Sequence, residues 1–259
     1  MDRSRPHYLF CVTDWHELKN GTVQARALGP AMAVGVDRIP DFLGRIVLIG
    51  IFGALATNQT LGAISFFEKA SETRFLDLAI ILAGILYIGV VVGTTIIRVD
   101  PLRSAVGLEP RLSALVGTFL SVGLVMLAPA DIGTELRVTS LILIVSGLFM
   151  STFALLCLGR AFSVTAQARR LVVTGPYAVV RHPLYLCEEI TILGIALAHL
   201  SIAAVLIVVV QWMFQLRRMT NEEKVISATF PEYAAYAAKT PRIIPDVFSR
   251  RLRDFWNSR

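Results

Sequence analysis

The chain has 259 residues, of which 55% are hydrophobic and 17% charged, with a net charge of +6 at pH 7. The apolar residues come in uninterrupted blocks rather than at amphipathic spacing, which excludes a soluble globular domain and predicts a polytopic membrane protein. Three cysteines, Cys11, Cys157 and Cys187, are scattered without a C-x-x-C pair. Neither a disulfide framework nor a metal site is therefore expected.

Residues 1–40 contain Pro6, Gly21, Gly29, Pro30 and Pro40 and have no apolar core of the kind a signal peptide needs. They predict a mobile or surface-lying arm. The transmembrane region is expected over 41–160, with spanning blocks at 42–57, 75–97, 112–130 and 138–158. The second of these gives about 34 Å of helix at about 1.5 Å per residue. The first is the weakest, being rich in glycine and carrying Arg45 near its start. No Gly-rich phosphate loop or strand–G-x-G-x-x-G unit is present, which excludes a soluble Rossmann domain.

Polarity returns at 175–185, where Gly175, Pro176 and Tyr177 precede the unbroken run Arg181, His182, Pro183, Leu184, Tyr185. This run supplies a fixed cation, a titratable imidazole, a rigid φ and a phenol at the lip of a helix, a place where ligands are commonly held. The apolar stretch 184–216 that follows is longer than one span, and charge decides how it folds. Loops 98–111, with Arg98, Arg103 and Arg111, and 159–183, with Arg160, Arg169, Arg170, Arg181 and no acid, fit a cytoplasmic side shared with the N-terminus. Residues 217–259 carry nine basic and five acidic residues. One long helix would strand them across the membrane, so a helical hairpin turning near 199–201 is expected. The fold expected is thus all-α, with four spanning helices and a C-terminal helical hairpin. A cytoplasmic pocket would form between the loop before the hairpin and the C-terminal segment.

Beyond the hairpin, Arg218 and Glu222 stand at i,i+4 on one helix face, with Glu223 beside them. Alone, this pattern reads equally as a membrane-edge arginine with solvated acids. Tyr233 and Tyr236 then lie on a short amphipathic segment, and Pro241, Arg242 and Pro245 on a rigid strip; both would cap the pocket. Residues 246–259 form a basic tail. Glu188 and Glu189 are costly at membrane depth, which points to a cavity-lining role.

Taken in order, Leu171 to Tyr177, Arg181 to Tyr185, the apolar hairpin, Arg218 before Glu222 and Glu223, and the tyrosine and proline strip resemble the isoprenylcysteine carboxyl methyltransferase family. The related phospholipid methyltransferases share the pattern. The resemblance covers about 165–245, the methyltransferase motif region being 161–245; the N-terminal half is similar only as apolar helices. It implies a membrane-embedded enzyme that takes S-adenosylmethionine as cofactor and methylates a lipophilic acceptor. The acceptor would be a prenylcysteine-type carboxylate, a phospholipid amine or an apolar thiol. By position it implies a cofactor shell of Leu171, Val172, Tyr177, His182, Pro183, Leu184, Tyr185 and Glu222. Arg218 and Glu222 would be catalytic, and Arg218, Glu188 and Glu189 substrate-binding. Where the family has glycine two residues after the motif tyrosine, this chain has Cys187, which leaves the acceptor open.

The residue types suit the chemistry. Methyl transfer from a sulfonium to an anion annihilates charge, so a dry, aligning pocket is what the protein must supply. An α-carboxylate, ordinarily ionised above about pH 3.5, needs no base and suits a bidentate Arg218. An amine or thiol must lose a proton, which makes Glu188, Glu189 or His182 candidate bases. Two other readings fit parts of the pattern: an NADPH-dependent sterol-type membrane reductase, which has a similar Arg-His-Pro-x-Tyr hairpin, and a non-catalytic membrane scaffold. Membrane lipids are expected partners and nucleic acid is not. The localisation expected is multi-pass integral membrane, with the N-terminus and site facing the cytoplasm.

Overall fold

The computed structural model describes residues 38–66 and 74–245. The N-terminal arm, as far as residue 37, and the basic tail 246–259 lie outside the described residues. The fold is mostly helical, in chain order α1 (Arg38–Phe66), α2 (Arg74–Ile97), β1 (Arg103–Ser104), α3 (Glu109–Phe119), α4 (Val122–Val125), α5 (Gly133–Leu158), β2 (Gln167–Ala168), α6 (Pro183–Ala198), α7 (Ile202–Ser227) and α8 (Tyr233–Lys239).

Among the described residues, three helical stretches are long and apolar enough to cross a membrane: Phe75–Ile97, Gly133–Ala161 and Ile202–Ser227, with Gly44–Thr57 a shorter apolar helix. Large apolar side chains on them point outward, among them Leu82, Phe149 and Met213. That arrangement suits lipid rather than water. The expected span at 112–130 is corrected: it divides into α3, of 11 residues, and the one-turn α4. Pro110 starts α3, where its missing N–H costs nothing. The ladder then tightens to i−3 bonds, Gly123 N to Leu120 O and Leu124 N to Ser121 O, both 3.0 Å. Neither piece alone spans a bilayer core of about 30 Å.

The stretch 184–216 is broken at 199–201, between α6 and α7. Ser201 caps α7, its hydroxyl accepting from Ala204 N at 3.2 Å. The helix then runs on to Ser227, so Arg218, Glu222 and Glu223 are helical.

The helices pack α1 on α2, α2 on α5, α5 on α6, and α3 on α7. The α5–α6 contact is close because small residues face it: Ser140 Oγ donates to Gly194 O at 2.7 Å. A Cβ at Gly147 would lie 2.6 Å from Thr191 N and 3.0 Å from Cys187 O. Backbone cannot yield as a flexible side chain does, so Gly147→Ala is expected to lower stability by about 1–3 kcal/mol. Gly123→Ala meets only Ile207 Cδ1 at an ordinary 3.6 Å and is the control. It should change stability by less than about 1 kcal/mol, the helix-propensity difference of glycine and alanine. Denaturant titration in detergent compares the two.

The loops at one end of the bundle interlock. Strands β1 and β2 pair antiparallel, Arg103 opposite Ala168 and Ser104 opposite Gln167, a ladder that the all-α expectation lacked. Val99 N donates to Arg160 O and Arg160 Nε to Ile97 O, each at 3.1 Å. At the same end, Arg181 N and His182 N donate to Pro241 O and Arg242 O at 2.9 and 3.2 Å. The loops that carry the basic excess, 98–111 and 159–183, therefore gather with the C-terminal strip. At the opposite end Ala130 N donates to Ala198 O at 2.9 Å. Cys187, on α6, is buried and free.

Candidate functional site

Gly159, at φ +50°, ends α5 and turns the chain across the loop end of the bundle, a conformation glycine adopts without a Cβ penalty. Gly175, at φ +60°, starts a short 3-10 turn, Gly175–Ala178, which buries Tyr177. Pro183 opens α6 behind the cap residue His182. These three local choices bring two loop segments and the end of α7 around one cavity of about 780 Å³, its open mouth included.

Leu171, Val172, Tyr177, His182, Leu184, Tyr185 and Glu222 all line this cavity. Tyr233 and Tyr236 close it from α8, and Tyr236 Oη donates to Tyr177 O at 2.6 Å. Pro183 does not line the wall; it sets the helix start that aims His182 and Tyr185. Arg218 stands behind the wall, and Glu188 and Glu189 lie deeper along α6.

The wall is held by a stack of three side chains. The His182 and Tyr185 rings lie 5.6 Å apart and 13° from parallel, and the Arg218 guanidinium sits 4.6 Å from the Tyr185 ring centroid. Tyr185 Oη donates to the Glu222 carboxylate. Arg218 Nε donates to the same oxygen at 3.3 Å, its Nη1 to Thr118 Oγ1 at 2.9 Å and its Nη2 to Ser163 O at 3.5 Å. The Arg218 side chain is 3% exposed and that of Glu222 15%. An ion pair this buried is kept by its hydrogen bonds, because desolvation opposes the Coulomb gain.

Behind it, Glu188 accepts from Tyr87 Oη at 2.6 Å and from Gln215 Nε2 at 3.4 Å. Gln211, Gln215, Arg218 and Glu222 follow one another on a single face of α7, so polarity runs from the cavity into membrane depth. Glu189 is buried, and its Oε1 has no hydrogen-bond partner among the described residues.

Tyr177 is the tell-tale of the cavity. Its hydroxyl is buried without a hydrogen-bond partner among the described residues, as is Nε of Arg181 in the same wall. Burial first, and the Glu222 carboxylate second, push its pKa well above the usual phenol value, so it stays a neutral donor. Burial raises Tyr233 and Tyr236 as well.

Residues 132–233 match the phospholipid methyltransferase family. That family is related to the isoprenylcysteine carboxyl methyltransferases, and the match together with three apolar helices among the described residues indicates an integral membrane protein. Over 88 residues the chain is 35% identical to the cobalt-zinc-cadmium resistance protein CzcN of Cupriavidus metallidurans, covering 33% of this chain and 40% of that protein. Over 81 residues it is 35% identical to the nickel-cobalt-cadmium resistance protein NccN of Alcaligenes xylosoxydans xylosoxydans, covering 30% and 38%. The chain thus spans about two fifths of the length of these curated relatives.

Sequence reasoning missed part of the cavity wall. Phe162, Ser163, Gln167 and Arg170, on the leg between α5 and Leu171, all line the cavity. That acid-free loop carried a signal, but it read only as membrane topology. Tyr87, Thr118 and Gln215 are single polar residues inside apolar helices, each anchoring Glu188 or Arg218 from another element.

Proposed function

We propose that this chain is a membrane-embedded methyltransferase that uses S-adenosylmethionine to methylate a lipophilic acceptor, in the cavity between the 159–185 loop, α7 and α8. The observation that carries the reading is that Tyr177, whose buried hydroxyl has no hydrogen-bond partner among the described residues, and Glu222 line one cavity, both within the segment that matches the phospholipid methyltransferase family. The donor set fits an adenosyl amino acid. Phe162, Leu171, Val172 and Leu184 offer apolar walls for a base, and Glu222, Tyr177 and Gln167 offer partners for hydroxyl or ammonium groups.

S-adenosylmethionine, when bound, supplies an electrophilic methyl group on a sulfonium. The chain's own residues supply position and dryness. Tyr185 and Arg218 fix the Glu222 carboxylate from two sides, so it is preorganised rather than mobile. Tyr233 and Tyr236 exclude water from the mouth. Arg218, reached from the lipid side, would dock an anionic acceptor by giving up its contact with Ser163 O, the longest of its three. For an amine or thiol, Glu188, Glu189 and His182 are the groups that can take the proton. The site faces the cytoplasm in this reading, because the loops gathered around it hold the basic excess.

The names of the two relatives attach them to metal resistance. Among the described residues of this chain no three His, Cys, Asp or Glu side chains converge. We therefore read any shared role as chemistry on a membrane-associated acceptor. The test is to incubate membranes holding the chain with methyl-labelled S-adenosylmethionine and identify labelled products by mass spectrometry. Label in a lipid-soluble product, absent with Tyr177→Phe/Glu222→Gln, is the expected result. No labelled product above that double variant would refute the reading.

A further inference from the structure

Glu223 does not line the cavity, yet it gathers more cationic partners than any other described carboxylate. Its Oε1 lies 2.9 Å from His182 Nε2, 3.3 Å from Arg181 Nη1 and 3.3 Å from Arg242 Nε. These groups belong to three segments: Glu223 to α7, Arg181 and His182 to the loop entering α6, and Arg242 to the strip after α8. The strip is also pinned by backbone, since the N–H groups of Arg181 and His182 donate to Pro241 O and Arg242 O. Arg181 Nη1 reaches Tyr233 Oη at 3.1 Å, and Arg242 Nη2 reaches Thr220 Oγ1 at 2.8 Å. Thus one carboxylate oxygen joins the cavity wall, through His182 and Arg181, to the segment that closes its mouth.

Building on the methyltransferase reading, we propose that Glu223 is the latch of a strap. The strap is α8 with residues 240–245, and its release governs passage of the nucleoside cofactor into and out of the cavity. The charge count favours a latch over a rigid joint. Two guanidinium groups face one carboxylate, so the cluster depends on that single negative charge, and its Glu223 side chain, 20% exposed, is reached by water. Neutralising it leaves Arg181 and Arg242 to repel each other across the seam between loop and strip. The backbone pair at 181–182 and 241–242 is too short to hold that seam unaided.

Glu223→Gln keeps the shape and removes the charge. Hydrogen exchange of the detergent-purified protein should rise about tenfold or more in peptides covering 181–182 and 240–245, while peptides of α2 and α5 stay protected as in the wild type. With adenosylhomocysteine as the probe, association and dissociation rates should both rise, by about fivefold or more, with Kd changing by less than either rate. A merely structural loss would slow association instead. Arg242→Gln removes the latch from the strap side and should reproduce both effects. Unchanged exchange at 181–182 and 240–245 in both variants would overturn the latch. Failure of the wild type to bind adenosylhomocysteine would count against the methyltransferase reading alone, because the exchange measurement needs no ligand.

Discussion

Arg218→Ala should abolish methyl transfer, by at least about 100-fold, and destabilise the folded protein by about 3–5 kcal/mol, the cost typical of leaving a buried charge without its partner. The guanidinium is 3% exposed, and it bonds Glu222 and Thr118 while covering the Tyr185 ring. Its removal leaves the Glu222 carboxylate with Tyr185 alone and no cation beside it. Because Arg218 also fixes the carboxylate on the cavity wall, adenosylhomocysteine affinity should fall together with turnover. The sequence alone suggests separable roles, Arg218 for the acceptor and Glu222 for the cofactor; the shared hydrogen bond ties them together. Arg218→Lys should recover only part of both losses, since an ammonium cannot reach Glu222, Thr118 and Ser163 O at once. If the charge imbalance is the cause, adding Glu222→Gln to Arg218→Ala should restore some stability without restoring activity. Denaturant titration and single-turnover methyl transfer give the two readouts.

Glu222→Gln alone is the second large effect, and it differs in kind. The amide oxygen still accepts from Tyr185, and Arg218 keeps Thr118 and Ser163 O, so stability should fall by no more than about 1–2 kcal/mol. Adenosylhomocysteine affinity should drop by about 10–100-fold, the loss expected when a charge-assisted hydrogen bond to a ligand becomes a neutral one. Turnover should fall further than affinity if the carboxylate also orients the reacting sulfonium. An affinity unchanged from the wild type would place Glu222 in the Arg218 ion pair only, outside the cofactor's contacts.

How much of this was legible in the sequence depends on the kind of signal. The run Arg181 to Tyr185 announces itself because a proline, a cation and a phenol between apolar blocks have few packing explanations, and the structure puts His182, Leu184 and Tyr185 on one wall. The same holds for Glu222, whose i,i+4 spacing from Arg218 fixes the face of α7. Block lengths read well where a helix is uninterrupted, as in α2, and poorly at 112–130. There the apolar content is continuous but the hydrogen-bond ladder tightens at Leu120 and Ser121. The charge asymmetry of loops 98–111 and 159–183 has a structural counterpart, for both loops meet at one end through Val99, Arg160 and the β1–β2 ladder. That ladder is two residues long on each strand, far too short to leave a period in the sequence. Contacts made by lone polar residues on distant helices, such as Tyr87 with Glu188, are also silent in sequence. Nothing local says which of several tyrosines and threonines faces inward. Glu223 was visible as half of an acidic pair, but its role rests on Arg242, well beyond it in the chain, arriving beside Arg181.

The central claim, that the cavity around Tyr177 and Glu222 holds S-adenosylmethionine, is tested most directly by calorimetric titration of the detergent-purified protein with adenosylhomocysteine and, separately, with NADPH. Saturable binding of adenosylhomocysteine at one site, weakened by Tyr177→Phe and further by Tyr177→Phe/Glu222→Gln, with no heat from NADPH, is the predicted result. Binding of NADPH instead, or adenosylhomocysteine binding that is indifferent to both substitutions, would contradict it.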